Sequence, residues 1–272
     1  MDCIPGVALD CAVPDSDEGS QGEDMRAAFT MWRNTRMIIL TAVCAAIYGA
    51  ALIAFKTAIP LIPGFTEVRV GNIFPMPFGI MFGPAGAWGA AMGNLIGDLF
   101  GGTFGPGSVG GFFGNFLLGY LPYTLWTTLV PFGARSREWD SGSGRAWVSY
   151  VLIAFVSSAA CAVVISIFVH ALGMVPYAVL SKLIMLNNAL GSLIGIVVLT
   201  TVFGVTKAHL NLFWLDIMEE ADVGRPAAGA LGAWLVALAS MAGLLAGIIP
   251  DLPVGLFGSV ATVAILVGCL LL

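Results

Sequence analysis

The residues of this chain best suited to specific chemistry are a few polar groups set in otherwise apolar sequence. Asn94 and Asp98 stand four residues apart in the Gly-rich run 73–101, so on a helix they share one face. Arg69 and Asn72 precede that run, Asn115 lies inside the apolar stretch 109–132, and Lys182, Asn187 and Asn188 lie early in 177–205. Polar groups inside a membrane are expensive and mark a site or a pathway. Two bases, an acid and several amides exceed what one helix–helix lock needs, so they predict a binding cavity. In it Arg69 and Lys182 would meet anionic or carbonyl groups. Asn72, Asn94, Asn115, Asn187 and Asn188 would hydrogen-bond the ligand, and Asp98 would meet a donor or hold Arg69. The plainer alternative is that these groups satisfy one another, with Asp98 paired to Arg69 or Lys182 and the asparagines bridging helices.

Other chemistry is not signalled. No HExxH, GxSxG, paired carboxylates or Cys–His partner argues for an enzyme. The pattern GxxxxGK[ST] is absent, so the chain has no ATP site of its own. Cys3, Cys11, Cys44, Cys161 and Cys269 are widely spaced, which fits buried free thiols and neither a metal site nor a disulfide framework. His170 and His209 are isolated, and no cofactor is implied. Trp88, Phe104, Phe112, Phe113, Phe116, Tyr120, Tyr123 and Trp126 surround the same region. They offer stacking for a planar ligand, although interface anchoring and packing are commoner uses. The loop 102–111 carries five glycines and a proline and reads as a flexible gate.

The elements that must position these groups follow from composition. Of 272 residues, 58% are hydrophobic and 10% charged, with mean hydropathy +0.95. A soluble domain has roughly 25% charged residues, so this is a polytopic membrane protein and not a cytosolic enzyme, a disordered chain or a nucleic-acid binder. The net charge of −5 belongs to residues 1–30, read as a disordered acidic cytoplasmic tail. Beyond it bases slightly outnumber acids.

A helix needs about 20 apolar residues to cross the hydrocarbon core. Candidates are 37–55, 73–101, 109–132, 147–172, 177–205, 229–249 and 254–271. The stretch 73–101 is either one kinked span or two short helices folded at Gly83-Pro84-Ala85-Gly86. Charge arbitrates, because Lys and Arg favour cytoplasmic loops. With a hairpin and a cytoplasmic N-terminus, Arg26, Arg33, Arg36, Arg135, Arg137, Arg145, Lys207 and Arg225 all lie inside, and Lys56, Arg69 and Lys182 outside. A single span reverses most of this. The hairpin reading gives eight spans, six in 37–205 and two in 229–271, with the polar constellation in the outer half of the first six. Gly89, Gly93, Gly97 and Gly101 make a smooth face on the second short helix, and Ala42, Ala46 and Ala50 a small-residue stripe on the first span, for a contact within the chain or with another subunit.

The run EVRVGNIFPMPFGIMFGPAGAWGAAMGNLIGDLFGG (67–102) resembles the substrate-binding, or S, components of energy-coupling factor (ECF) transporters. The matching features are Arg69 and Asn72 after the outer loop, a Gly-Pro-x-Gly turn, and Gly89, Gly93, Asn94, Gly97 and Asp98 on the following arm. KLIMLNNALGSLIGIVV (182–198) is also similar, and the resemblance covers about 36–206. It implies an all-α membrane protein: a six-helix core over 36–206 with two short Gly-rich helices and both ends cytoplasmic. A linker (207–228) and two additional C-terminal transmembrane helices (229–272) depart from the usual six. The resemblance further implies a vitamin-like ligand captured from outside the cell membrane. It implies as partners a transmembrane coupling subunit and two ATP-binding subunits, with Ala42 and Ala46 matching the family's contact motif and Ala50 extending it. Folate-like, thiamine-like, cobalamin-like and queuosine-precursor-like ligands all fit. The competing readings are an autonomous ion-coupled secondary transporter using Asp98, against which no repeat of the GxxxGNxxGD pattern is found, and a membrane enzyme or structural subunit.

Overall fold

A computed structural model describes residues 25–55, 60–62, 66–67 and 69–272. Nearly all of it is helix. A short helix α1 (Arg26–Thr30) and a 3-10 turn (Met31–Arg33) lead into α2 (Thr35–Phe55). A small antiparallel pair, β1 (Pro60–Ile62) and β2 (Thr66–Glu67), and a 3-10 turn (Val70–Ile73) lead to α3 (Pro75–Phe82) and α4 (Pro84–Phe100). Then come α5 (Gly107–Thr128), α6 (Gly144–Ala171), α7 (Tyr177–Ala208), the short α8 (Trp214–Ile217) and α9 (Glu220–Val223), α10 (Gly229–Ala246) and α11 (Val254–Leu271). Among the described residues five helices are long and apolar enough to cross a membrane: α2, α6, α7, α10 and α11. The acidic tail through residue 24, Lys56, Cys3 and Cys11 lie outside the described residues.

The hairpin expected in 73–101 is present. Gly83 turns it with φ 50° and ψ −122°, and Pro84, which has no N–H to offer, opens α4. A side chain on Gly83 would strike the Trp214 ring, whose Cγ lies 2.7 Å from the Cβ position. At a 1.5 Å rise per residue α3 and α4 span about 12 and 26 Å, short of a core near 30 Å. Their neighbours compensate: α3 is buried from Pro75 to Met81, packed between α4, α5 and α7. The glycine face of α4 lies on α2. A Cβ on Gly93 would sit 2.9 Å from Tyr48 Cδ1, and one on Gly97 2.9 Å from Leu52 Cβ. Gly101 instead ends α4.

Some boundaries differ from the sequence reading. Arg26–Thr30, assigned to the disordered tail, is helical, with Ala27 and Ala28 buried. Half of the loop 102–111 is the first turn of α5, which begins at Gly107. The linker 207–228 is folded and not merely a connector. Phe213 and Trp214 are buried, and its backbone is tied to the first segment by Thr30 Oγ1 donating to Asp222 O (2.7 Å) and Asn34 Nδ2 to Ile217 O (3.1 Å). Lys207 pairs with Glu138.

The hairpin α10–α11 packs on α6, with smaller contacts to α5 and α7. Three donors fasten it to carbonyls: Tyr120 Oη to Cys269 O (3.1 Å), Tyr177 Oη to Gly243 O (2.7 Å) and Trp234 Nε1 to Val130 O (2.8 Å).

Candidate functional site

The glycine seam between α2 and α4 sets the site. Because α4 lies tightly on α2, the adjoining face, about 100° round the helix and carrying Asn94 and Asp98 one turn apart, is turned toward the cavity that α5, α6 and α7 help to line. A cavity of about 280 Å³ opens there, where α4 ends and α5 begins. Its lining mixes two chemistries: Arg69, Asn94, Asp98, Thr103, Ser108, Asn115, Asn187 and Asn188 are polar, and Ile165, Val169, Met174, Leu180 and Ile184 are aliphatic or thioether.

The polar lining residues form a connected network. Arg69 Nη1 donates to Asn94 Oδ1 at 2.6 Å, and Arg69 Nη2 lies 3.6 Å from Asp98 Oδ1. Asn94 Nδ2 reaches Asp98 Oδ2 at 3.3 Å, and Thr103 Oγ1 reaches Asp98 Oδ1 at 3.4 Å. The backbone N–H of Arg69 donates to Asn187 Oδ1 at 3.0 Å, which joins the loop before α3 to α7. The ion pair has side chains 18% and 10% exposed. Its gross attraction, on the order of 4 kcal/mol at an effective dielectric near 20, is largely offset by desolvation. Its consequence is electrical: the charged pair at the site sums to zero.

A second layer lies behind the first. Tyr48 Oη is 2.8 Å from both Asn72 Oδ1 and Asn115 Oδ1. Asn72 Nδ2 donates to Asn188 Oδ1 at 2.6 Å, Asn188 Nδ2 to Cys161 Sγ at 3.1 Å, and Asn115 Nδ2 to the Gly111 carbonyl at 2.8 Å. Asn72 therefore stands behind the wall and does not line the cavity.

Of the eight residues singled out in the sequence, Arg69, Asn94, Asp98, Asn115, Asn187 and Asn188 meet at one cavity, and Asn72 supports it. Lys182 does not join them. It is exposed and does not line the cavity, so the excess positive charge read from the sequence is not present at the cavity. The aromatic cluster also divides. Phe104 lines the cavity. Trp88, Phe112, Phe113 and Phe116 line a separate apolar groove walled by α1, α4, α5, α6 and α11. Tyr120, Tyr123 and Trp126 are buried in packing.

Tyr48 and Cys161 escaped the sequence reading. Tyr48 gave one usable signal: it stands four residues from Cys44, on the α2 face that meets the glycines of α4. Cys161 gave none beyond an apolar context. Ala42, Ala46 and Ala50 lie on the opposite face of α2 and are all exposed, with α10 and α11 present.

A search of curated proteins finds no match to this chain, and a search of solved structures finds none either. The family model of the QueT transporter matches residues 38–204, which hold the α3–α4 hairpin, the cavity and its network and leave out α10 and α11. By that match over more than half its length, the chain belongs to the QueT transporter family and is an S component of an ECF transporter.

Proposed function

We propose that this protein captures a queuosine precursor, a 7-deazaguanine-type base, from outside the cell membrane and delivers it inward with a transmembrane coupling subunit and two ATP-binding subunits. The N-terminus and the linker carrying α8 and α9 face the cytoplasm, and the cavity faces outward. The observation that carries the substrate reading is the mixed lining of the cavity: hydrogen-bonding groups of zero summed charge together with aliphatic side chains. A flat bicyclic base needs both, since its edge hydrogen-bonds while its faces are apolar. Cobalamin-like ligands are far larger than about 280 Å³. Folate-like ligands carry paired carboxylates, for which the Arg69–Asp98 pair offers no net positive charge.

Arg69, Asn94, Asp98, Asn115, Asn187 and Asn188 contact the ligand in this reading, and Asn72 holds Asn188 in place. Ala42, Ala46 and Ala50 form the docking face for the coupling subunit. Asp98 acts as a fixed partner of Arg69, Asn94 and Thr103. A carboxylate that relayed protons as an autonomous ion-coupled transporter would have to exchange those partners in each cycle.

Native mass spectrometry of small molecules co-purifying with the detergent-extracted protein tests the proposal. A stoichiometric 7-deazaguanine derivative is the expected result. A stoichiometric ligand of another class would overturn the substrate assignment and leave the binding role standing.

A further inference from the structure

The second layer of the site has one proton too few. Tyr48 carries a single hydroxyl hydrogen and stands 2.8 Å from two amide oxygens, Asn72 Oδ1 and Asn115 Oδ1. The other ends of both amides are already committed: Asn72 Nδ2 to Asn188 and Asn115 Nδ2 to the Gly111 carbonyl, which can only accept. Arg69 stands against the same hydroxyl. A guanidinium only donates, so it supplies no hydrogen to either amide oxygen through Tyr48.

Burial decides where the one proton goes. Asn72 is 1% exposed and does not line the cavity, so neither ligand nor solvent can reach its oxygen. Leaving a buried acceptor unpaired costs more than one ordinary hydrogen bond contributes. Asn115 is buried too, at 3% exposed, but it belongs to the cavity lining, where a ligand can reach it. The favoured arrangement therefore runs Tyr48 to Asn72 to Asn188 to Cys161, and it leaves the oxygen of Asn115, a residue of the cavity lining, without the Tyr48 hydrogen. Asp98 has donors, yet a carboxylate offers about four lone-pair sites and keeps room for another. Its three contacts, at 3.3, 3.4 and 3.6 Å, are long for charge-assisted bonds of about 2.8 Å. The two groups are neighbours: Gly111, one turn before Asn115, has its Cβ position 3.8 Å from Asp98 Oδ2.

We propose that Asn115 is a specificity-determining residue whose side-chain oxygen accepts an N–H from the ligand, with Asp98 as the adjoining acceptor, so that the site selects ligands with a donor-rich edge of the aminopyrimidinone kind. Tyr48 is the positioning residue that withholds its proton from Asn115. The inference rests on the reading of this cavity as the ligand site and adds which edge of the ligand is read.

Two experiments on the full chain in detergent test it. The first measures binding of 7-deazaguanine and of 7-deazahypoxanthine, which lacks the exocyclic amino group. The wild-type protein should prefer 7-deazaguanine at least tenfold. Asn115→Leu should reduce that preference below threefold, while Asn115→Asp, which keeps an acceptor oxygen, should retain it. An undiminished preference in Asn115→Leu overturns the proposal and leaves the substrate reading intact. The second is a thermal double-mutant cycle without ligand. The Tm losses of Tyr48→Phe and Asn72→Leu should fall short of additivity by about 2 °C or more, and those of Tyr48→Phe and Asn115→Leu should add within about 1 °C. The reverse pattern would mean that the hydroxyl serves Asn115, and the proposal fails. If neither base binds, the substrate reading fails and the thermal cycle still decides the proton assignment.

Discussion

The two ends of α4 are built from opposite chemistry. At the Pro84 end the helix is clamped by aromatic rings. Trp214 fills the space beside Gly83. Trp88 meets Phe116 at 4.8 Å between ring centroids, and the series continues through Tyr120 and Tyr123 to Trp214 at 5.6, 5.3 and 5.3 Å. Trp88 Nε1 closes this end by donating to Ala28 O at 2.7 Å. At the Asp98 end the same helix presents amides and a carboxylate to a cavity. Dense aromatic packing stabilises without caring what passes by, whereas a polar wall costs desolvation and returns selectivity. If the cavity is the ligand site proposed above, one helix divides stability from recognition along its length.

Trp214→Ala is the strongest way to break that division. The ring is 1% exposed, and removing a buried aromatic side chain costs about 3–5 kcal/mol. The expected result is a Tm fall on the order of 10 °C, with ligand affinity of the remaining folded protein within threefold of wild type. An affinity that collapsed together with Tm would show the two ends to be one cooperative unit. Differential scanning fluorimetry and calorimetric titration on the same preparation measure both.

The converse variants act at the other end. Arg69→Ala or Asp98→Ala should weaken ligand binding more than tenfold, about 1.4 kcal/mol. The Tm loss should stay below that of Trp214→Ala, because the pair is partly exposed at the cavity, with side chains 18% and 10% exposed, and water can solvate the charge left behind. Unchanged affinity in both variants would remove the pair from the ligand site.

The same contrast explains what was legible in the sequence. The polar wall could be read because Asn94 and Asp98 repeat at one helical turn, and because Asn and Asp are conspicuous among apolar residues. The hairpin could be read because Gly83-Pro84 interrupts the run where a single span would put most bases on the wrong side. Lys182 misled for the opposite reason. Its position early in α7 was clear, but which face of α7 it occupies depends on how α7 packs against the turn Val70–Ile73 and α3. The aromatic residues misled similarly. Phe112 and Phe116 are one turn apart and pass over the groove shared with α11, not over the cavity. Tyr48 was hidden because a tyrosine in an apolar helix looks like packing until its hydroxyl is seen between two asparagines. The linker 207–228 looked like a connector because its folded state depends on single rings, Phe213 and Trp214, finding seats on distant helices.

The smallest effect on the protein itself is expected from Ala46→Trp, and it sharpens the comparison most. Ala46 is exposed and sits on the face of α2 opposite Cys44 and Tyr48, so a large ring there meets neither the glycine seam nor the cavity. Tm should move by less than about 2 °C, within the range of surface substitutions, and ligand affinity should not change. Uptake by cells expressing the complete transporter should nevertheless be lost, because a small-residue stripe lets another helix approach closely and an indole blocks that approach. The hairpin α10–α11 does not interfere, since it packs on α6 and leaves the stripe exposed. Normal uptake in this variant would sink the docking face on α2 and turn attention to the surfaces that α10 and α11 add beyond residue 204.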